Sequence, residues 1–298
     1  MMKKGLIILG AVVGILGTVF TLIFAVSSFR LNKTYDVAVQ PVSLPSDEAA
    51  LAEGARLFTT RGCSDCHGPD GSGGIMLDDP AIGLVAATNL TSGVGGVAAD
   101  YDDATMARAI RNGLNEENKP LLFMPSHEFQ KFSDEDTALL IAHIRNLPPV
   151  NNELPESSAG LVGRILFVAG QMPLVPAEMV DHEATKVAVV ANEATAEFGE
   201  YLAQGCTGCH GAGFSGGAIP GAPPDWLAAA NITLDEATGI GSWSEADFIT
   251  AIRTGVRPDG STIDPMMPWQ NFSKMTDVEL EALWLYLQTV PPQAEGNR

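Results

Sequence analysis

One five-residue pattern occurs twice in this 298-residue chain, and it restricts the possible folds more than any other feature. The first copy is Cys63-Ser64-Asp65-Cys66-His67, and the second is Cys206-Thr207-Gly208-Cys209-His210. The sequence contains four cysteines, so the two copies use all of them and leave none for a disulfide elsewhere. Each half of the chain must therefore fold around two thiols and the imidazole that follows them.

Cys-x-x-Cys-His is the attachment signature of c-type haem, in which each thiol adds to a vinyl group of the porphyrin and the imidazole binds the iron. One copy alone would also fit a zinc knuckle or a chance match. A thioredoxin-like redox pair would leave the His after both copies unexplained. The duplication therefore predicts two covalently bound haem c groups. The predicted thioether residues are Cys63, Cys66, Cys206 and Cys209, and the predicted proximal iron ligands are His67 and His210.

A methionine follows each motif at the same distance. Met124 and Met267 each lie 57 residues after the motif His, and a proline follows each of them. A thioether sulfur is a soft ligand that suits haem iron, so we predict these two residues as the sixth ligands, with core packing as the alternative. Met266 and His127 are the rival ligands. The 143-residue offset between the motifs pairs Met124 with Met267, which favours Met267 over Met266. The same offset pairs His127 with Gln270, so the repeat does not support His127 as a ligand.

Further pairs of residues match at an offset of 142 or 143, which predicts two similar units at 46–150 and 190–298. We call them unit one and unit two. No stretch alternates with the period of two that strands require, so each unit is expected to be a set of short helices. Each unit has a helix before the motif, a middle helix (Asp102–Leu114 or Ser244–Val256) and a last helix from the capping box Ser133-x-x-Asp136 or Thr276-x-x-Glu279.

Residues 1–33 are predicted to form a membrane anchor. The apolar run from Gly5 to Phe29 has 25 residues. A bilayer core needs about 20 in a helix, whereas the apolar part of a signal peptide has about 7–15. Ala25-Val26-Ser27 is a candidate cleavage site, so a removed signal peptide is the alternative. Haem c is attached outside the cytoplasmic membrane, which predicts an N-terminus inside and haem units in the periplasm or outside the cell.

Two further segments link these parts of the chain. Residues 34–45 are predicted to be an extended tether between the anchor and unit one. Residues 151–189 are predicted to connect the units. Within that segment, the apolar residues of 157–172 predict a helix that packs between the units.

The charge of the chain narrows its choice of partner. The formal net charge is −19, and the residues after position 33 include 13 basic and 36 acidic side chains. That balance argues against binding to nucleic acid. It favours a redox partner with a basic face and an association that salt weakens. A solvated acidic surface that only keeps the protein soluble is the alternative.

Several other residues are candidates for contact with the porphyrin. Arg111 and Arg253 end the two middle helices, where each could pair with a haem propionate or cap the helix. Phe129 and Phe272 are candidate pocket walls, with core packing as the alternative. Trp243 is a candidate on the electron path or an ordinary buried ring.

With these residues placed, each unit resembles a class I cytochrome c domain: helix, haem motif, loop, middle helix, Met loop and closing helix. The resemblance implies a mainly α fold with an N-terminal transmembrane helix followed by two tandem class I cytochrome c domains. In that fold the first and last helices cross closely, and Gly54 is the small residue expected at the crossing. Glu197 occupies the corresponding place in unit two, so a different crossing is expected there.

The stretch from Asn231 to Phe248, followed by Ala251-Ile-Arg-x-Gly and Met267-Pro, is similar to the membrane-bound multihaem cytochrome c subunits of periplasmic alcohol, aldehyde and gluconate dehydrogenases. Those subunits generally carry three haem motifs, and this chain carries two. The resemblance therefore implies the fold and electron transfer, and it leaves the partner open.

Three functions are consistent with these observations. The first is an electron carrier, a membrane-anchored dihaem cytochrome c of a respiratory or photosynthetic membrane complex. It would relay electrons between a membrane complex or dehydrogenase and an oxidase or soluble carrier. The second is a dihaem peroxidase, which requires one open iron site and is disfavoured by two equivalent Met loops. The third is a structural subunit that only holds a larger complex together.

Overall fold

Helices make up most of the regular structure in the computed structural model, which describes residues 2–38, 41–222 and 226–297. The first helix, α1, runs from Met2 to Leu31. Unit one contains α2 (Glu48–Thr60), α3 (Cys63–His67), α4 (Asp103–Asn112), α5 (Ser126–Phe129) and α6 (Asp134–Arg145). The connecting segment contains α7 (Leu161–Val168) and a 3₁₀ turn (Pro176–Met179). Unit two contains α8 (Ala196–Ala203), a 3₁₀ turn (Gln204–Cys206), α9 (Thr207–His210), α10 (Glu245–Thr254), α11 (Trp269–Phe272) and α12 (Asp277–Leu287).

The last helix of each unit begins where its capping residues predict. The Ser133 side chain accepts a hydrogen bond from the backbone N–H of Asp136, and Thr276 does the same for Glu279. The middle helices end two residues earlier than predicted. Gly113 and Gly255 take left-handed backbone conformations there, with φ of 68° and 70°, and such a residue terminates a helix.

The first and last helices of both units cross at a glycine. In unit one, a Cβ atom on Gly54 would overlap the carbonyl oxygen of Leu139. In unit two, a Cβ atom on Gly199 would overlap the carbonyl oxygen of Ala282, which corresponds to Leu139. The prediction of a different crossing built on Glu197 was therefore wrong. Unit two places its glycine two residues closer to the haem motif, so the constant offset pointed to the wrong residue.

Two strands of unit one and one strand of the connecting segment form a small sheet, which the sequence did not predict. Its strands are β1 (Gly74–Asp79), β2 (Gly83–Ala87) and β3 (Ser158–Ala159), in the order β1-β2-β3 with antiparallel pairing. A bulge between Ile75 and Leu77 breaks the alternation of side chains, which explains why no period of two is visible. At the corresponding place in unit two, Gly217 and Ala229 form a single bridge.

The described core consists of one cluster in each unit and a third beside α1. Helices α2 and α6 build the unit-one cluster, and α8 and α12 build the unit-two cluster. The third cluster packs Leu31 and Tyr35 against Phe167 and Leu174. Helix α7 therefore lies between α1 and unit one, whereas the prediction placed it between the units. The predicted tether begins in contact with unit one, because the Tyr35 N–H donates to the Asn118 carbonyl at 3.0 Å.

Candidate haem sites

The two motif histidines are held in the same way. Nδ1 of His67 lies 2.8 Å from the carbonyl oxygen of Thr88, and Nδ1 of His210 lies 2.7 Å from that of Ala230. A carbonyl oxygen can only accept, so Nδ1 must carry the proton in both rings and Nε2 keeps its lone pair. Burial lowers the pKa of His67, which favours this neutral form. Both imidazoles are therefore prepared to bind a metal through Nε2, as an oriented ligand requires.

Asn89 and Asn231, the residues that follow Thr88 and Ala230, each anchor a group of buried hydrogen bonds that we call the latch. Asn89 is fully buried, and its side-chain amide donates to the carbonyl of Val150 at 2.8 Å. Its Oδ1 accepts from the N–H and the hydroxyl of Thr91, both at 2.9 Å. In unit two, Asn231 makes the equivalent bonds to Gln293, at 2.8 Å, and to Thr233, at 3.0 and 2.8 Å. The latch fixes the loop whose carbonyl orients the histidine.

Cys63, His67 and Met124 all line one cavity in unit one. The other residues of this cavity are mostly apolar: Phe58, Thr88, Leu90, Val97, Tyr101, Met106, Ala109, Ile110, Leu121, Leu140 and Ile144. A thiol for covalent attachment, a nitrogen ligand and a sulfur ligand thus meet in apolar surroundings. This donor set fits a haem c, whose porphyrin is largely apolar and whose iron accepts nitrogen and thioether sulfur.

Met267 of unit two lies in apolar surroundings, as Met124 does in unit one. Met267 packs against the core cluster of that unit together with Cys206, whereas Met266 is 42% exposed. The structure thus favours Met267 over Met266 as the ligand candidate. His127, the rival in unit one, is not among the residues that line the cavity. Its Nε2 lies 3.7 Å from a carboxylate oxygen of Glu128.

Two other interpretations of the cysteines find no support. Among the residues that the structure describes, no group of three or more His, Cys, Asp and Glu side chains could hold a metal ion. Burial raises the pKa of Cys63 and of Cys206 to about 12, so both would stay protonated at neutral pH. Redox-active Cys-x-x-Cys pairs instead need a lowered pKa.

The candidate porphyrin contacts lie in less specific surroundings. Nη1 of Arg111 lies 2.8 Å from Asp134, and Nη2 of Arg253 lies 2.6 Å from Asp277. Both arginines thus tie the middle helix to the start of the last helix, and a propionate contact remains a prediction. The three aromatic candidates pack in the cores of their units: Phe129, Phe272 and Trp243.

The two haem motifs meet the opposite units through reciprocal contacts. The side-chain amide of Asn271, on α11, donates a hydrogen bond to Asp65 in the first motif. The carboxylate of Glu128, on α5, lies against Gly208 in the second motif, where a Cβ atom would overlap it. Asp65 corresponds to Gly208 and Glu128 to Asn271, so one pair of positions is used twice with the units exchanged. This is the pattern of a two-fold, isologous interface.

Arg61 lies between Asp136 and Glu279, the third residues of α6 and α12, at this interface. Arg61 of unit one has its Nη2 at 3.3 Å from Glu279 and at 3.7 Å from Asp136, and its side chain is 8% exposed. Asp136 also accepts a hydrogen bond from the hydroxyl of Tyr201 at 2.7 Å. The units are therefore joined by a largely buried ion pair as well as by the contacts at the motifs, and no sequence period could reveal these contacts.

Two tandem helical units, each with an attachment pair, an oriented imidazole and a methionine in one core, define a dihaem c-type protein. Comparison with known families agrees with this class. The chain belongs to the Cytochrome c family, which matches residues 51–148 and 196–291. Each matched region contains one Cys-x-x-Cys pair, which implies two haem c groups.

Several relatives are named as cytochrome subunits of dehydrogenases, which confirms the resemblance found in the sequence. The gluconate 2-dehydrogenase cytochrome c subunit of Pantoea cypripedii is 38% identical over 115 residues, covering 36% of this chain and 26% of that protein. The alcohol dehydrogenase (quinone) cytochrome c subunit of Gluconacetobacter polyoxogenes is 36% identical over 115 residues, covering 36% and 25%. The fructose dehydrogenase cytochrome subunit of Gluconobacter japonicus is 31% identical over 277 residues, covering 87% and 56%. The chain thus matches about a quarter of the first two relatives and about half of the third.

Proposed function

We propose that this protein is a membrane-anchored electron carrier with two haem c groups. Thioether bonds would hold one group to Cys63 and Cys66 and the other to Cys206 and Cys209. When bound, each haem supplies a one-electron iron couple. The observation that carries the proposal is the reciprocal interface, because it brings both attachment motifs into one contact surface.

The axial ligands proposed for the two irons are His67 with Met124 and His210 with Met267. The carbonyls of Thr88 and Ala230 support the histidines by fixing the tautomer and the ring orientation. A methionine on the second side would deny the iron to small substrates, and the apolar cavity around it excludes water. The chain's residues are therefore suited to hold a redox group rather than to open it for catalysis.

Helix α1 is proposed as an uncleaved anchor. It is the one described helix that is long and apolar enough to cross a membrane, and a signal sequence would pass the same test. The contacts at its end favour the anchor. Ser27, at the candidate cleavage site, is 0% exposed, and its hydroxyl accepts a hydrogen bond from Nη1 of Arg164 in the connecting segment at 2.9 Å. Ser27 is therefore part of the folded structure, whereas a signal peptide that ends at Ser27 would be removed.

The proposed partners are other redox proteins of a larger respiratory or photosynthetic membrane complex, reached on the periplasmic side. Relatives named as subunits of gluconate, alcohol and fructose dehydrogenases support a dehydrogenase as the electron donor. An oxidase or a soluble carrier with a basic face would accept the electrons. Raising the salt concentration should slow that transfer, because the net charge of this chain is −19.

Binding of carbon monoxide to the reduced protein tests the carrier against a peroxidase. The full-length protein, purified in detergent, is expected to bind none. Replacing Met124 or Met267 with Ala should open one iron, so that each variant binds one carbon monoxide per chain. Met266→Ala is the matched control and should bind none. Binding by the parent protein at one iron would contradict the carrier and favour the enzyme.

A further inference from the structure

Helix α7 carries an apolar face that the rest of the described chain leaves partly exposed. Leu161, Val162 and Ile165 are 48%, 39% and 40% exposed, and their spacing places them on one side of the helix. The opposite side is packed, since Phe167 is 1% exposed and a Cβ atom on Gly163 would overlap the carbonyl of Ile82. We call Leu161, Val162 and Ile165 the outer face of α7.

This face is held at a fixed level beside α1. Nη1 of Arg164 donates to the hydroxyls of Ser27, at 2.9 Å, and Ser28, at 3.0 Å. The guanidinium group of Arg164 also lies 4.6 Å from the ring centre of Phe24. All three partners belong to the last two turns of α1, so α7 lies alongside the end of that helix.

A second set of contacts fixes the same end of α1. Nε of Arg30 donates to Glu178 at 2.9 Å, and its Nη1 donates to the carbonyl of Phe167 at 3.3 Å. The guanidinium group stacks 3.7 Å from the Phe167 ring centre. Met179, next to Glu178, is 55% exposed. The end of α1 is therefore attached to the connecting segment through both Arg164 and Arg30.

The length of α1 sets the depth of α7. The 20 residues from Gly5 to Phe24 would rise about 30 Å as a helix, which matches the hydrocarbon core of a bilayer. Residues 24–30, and with them α7, would then lie at the level of the lipid headgroups. Residues 157–172 contain no acidic side chain and one arginine, in contrast to the strongly acidic remainder. An apolar helix face without negative charge is suited to that layer.

We propose that α7 lies in the membrane interface, with its outer face inserted at the boundary between headgroups and acyl chains. The proposal rests on the proposed anchoring by α1. The Phe123 N–H, next to Met124, donates to the carbonyl of Leu174 at 3.1 Å, so the Met loop of unit one is attached to the connecting segment. The haem site of unit one is thereby linked to the segment that we place at the membrane interface.

Photo-crosslinking to lipid tests this placement in the full-length protein in nanodiscs of phosphatidylcholine and phosphatidylglycerol. A benzophenone amino acid would replace Val162, with Ile165 as a second position. Val278, on α12, is 36% exposed and serves as the matched control, and Leu9, in α1, is 63% exposed and reports the anchor. The haem spectrum of each variant shows that it is folded.

We expect lipid adducts at Leu9 and at Val162 or Ile165, with a yield several-fold above that at Val278. Adducts at Leu9 alone would overturn the interfacial placement and leave the anchor intact. No adduct at Leu9 would contradict the anchor and the placement together. Adducts of Val162 and Ile165 to a co-purified protein instead of lipid would also overturn it, because the outer face would then be a subunit contact.

Discussion

Replacing Glu279 with Gln should weaken the contact between the units far more than replacing Glu53. The Glu279 side chain is 2% exposed, 2.5 Å from Arg56 and 3.3 Å from Arg61. Burial alone would raise the pKa of Glu279, but the hydrogen bond from Arg56 and the charges of Arg61 and Arg56 lower it overall. The carboxylate is therefore ionised in the folded protein. Without it, Arg61 keeps only the more distant Asp136, at 3.7 Å.

The expected size of the effect follows from burial. Removing one partner of a buried ion pair costs about 3–5 kcal/mol, whereas an exposed pair contributes about 0.2–1 kcal/mol. Glu53 binds the same Arg56 at 2.6 Å but is 38% exposed, which makes it the matched control. Gln at position 279 can still cap α12. We therefore expect Glu279→Gln to cost about 3 kcal/mol and Glu53→Gln to cost less than about 1 kcal/mol.

Denaturant unfolding of the full-length protein in detergent measures this difference. All four tryptophans lie in unit two, so their fluorescence reports that unit, while circular dichroism of the haem band reports both. The two signals should change together in the parent protein and in Glu53→Gln. In Glu279→Gln the fluorescence transition should move to lower denaturant and separate from the haem signal. Equal midpoints for the two variants would refute the role given to the buried carboxylate.

Three further predictions concern single side chains. Burial raises the pKa of Glu128 to about 7 from 4.5. Between these two pH values, Glu128 is therefore protonated in the folded protein and ionised in the unfolded chain. The free energy of unfolding should fall by up to about 3 kcal/mol as pH rises from 4.5 through 7. The Glu128→Gln variant should lack this pH dependence. A parent protein whose stability does not change over this pH range would contradict the burial of Glu128. Asn89→Ala breaks the buried latch and should lower the free energy of unfolding by about 2–3 kcal/mol. The control Asn151→Ala should lower it by less than about 1 kcal/mol, because Asn151 Oδ1 accepts one exposed hydrogen bond from Val94. Equal losses in the two variants would argue against the latch. Gly199→Ala should lower the melting temperature although alanine is the better helix former, because overpacking costs about 1–3 kcal/mol. Gly205→Ala should not lower the melting temperature, because no atom lies near the added Cβ. An unchanged melting temperature for Gly199→Ala would show that the helix crossing can widen.

Local chemistry in the sequence predicted the features that depend on a few neighbouring residues. The duplicated motif and the capping residues Ser133 and Thr276 are of this kind, and the helix starts at Asp134 and Asp277 follow from the capping residues. The first helix of unit two was misaligned because the number of residues between the crossing glycine and the motif differs between units. Gly54 precedes Cys63 by nine residues and Gly199 precedes Cys206 by seven.

Other features have no local signature. Thr88 and Ala230 orient the histidines through backbone carbonyls, which every residue type possesses, so nothing in their identity marks them. The repeated Asn-x-Thr after each carbonyl (89–91 and 231–233) is visible in the sequence. Its role in fixing the loop is evident only from its burial in the structure. The contact of Glu128 with Gly208 depends on how two separate units dock, which hydrophobic periodicity within one unit does not encode.

Near-infrared magnetic circular dichroism of the oxidised full-length protein, quantified per chain, tests the central claim most directly, because it distinguishes the axial ligands of haem iron. We predict two low-spin haems per chain, both with one histidine and one methionine ligand. A single haem per chain, a high-spin centre, or a spectrum of two-histidine ligation in either unit would contradict the account.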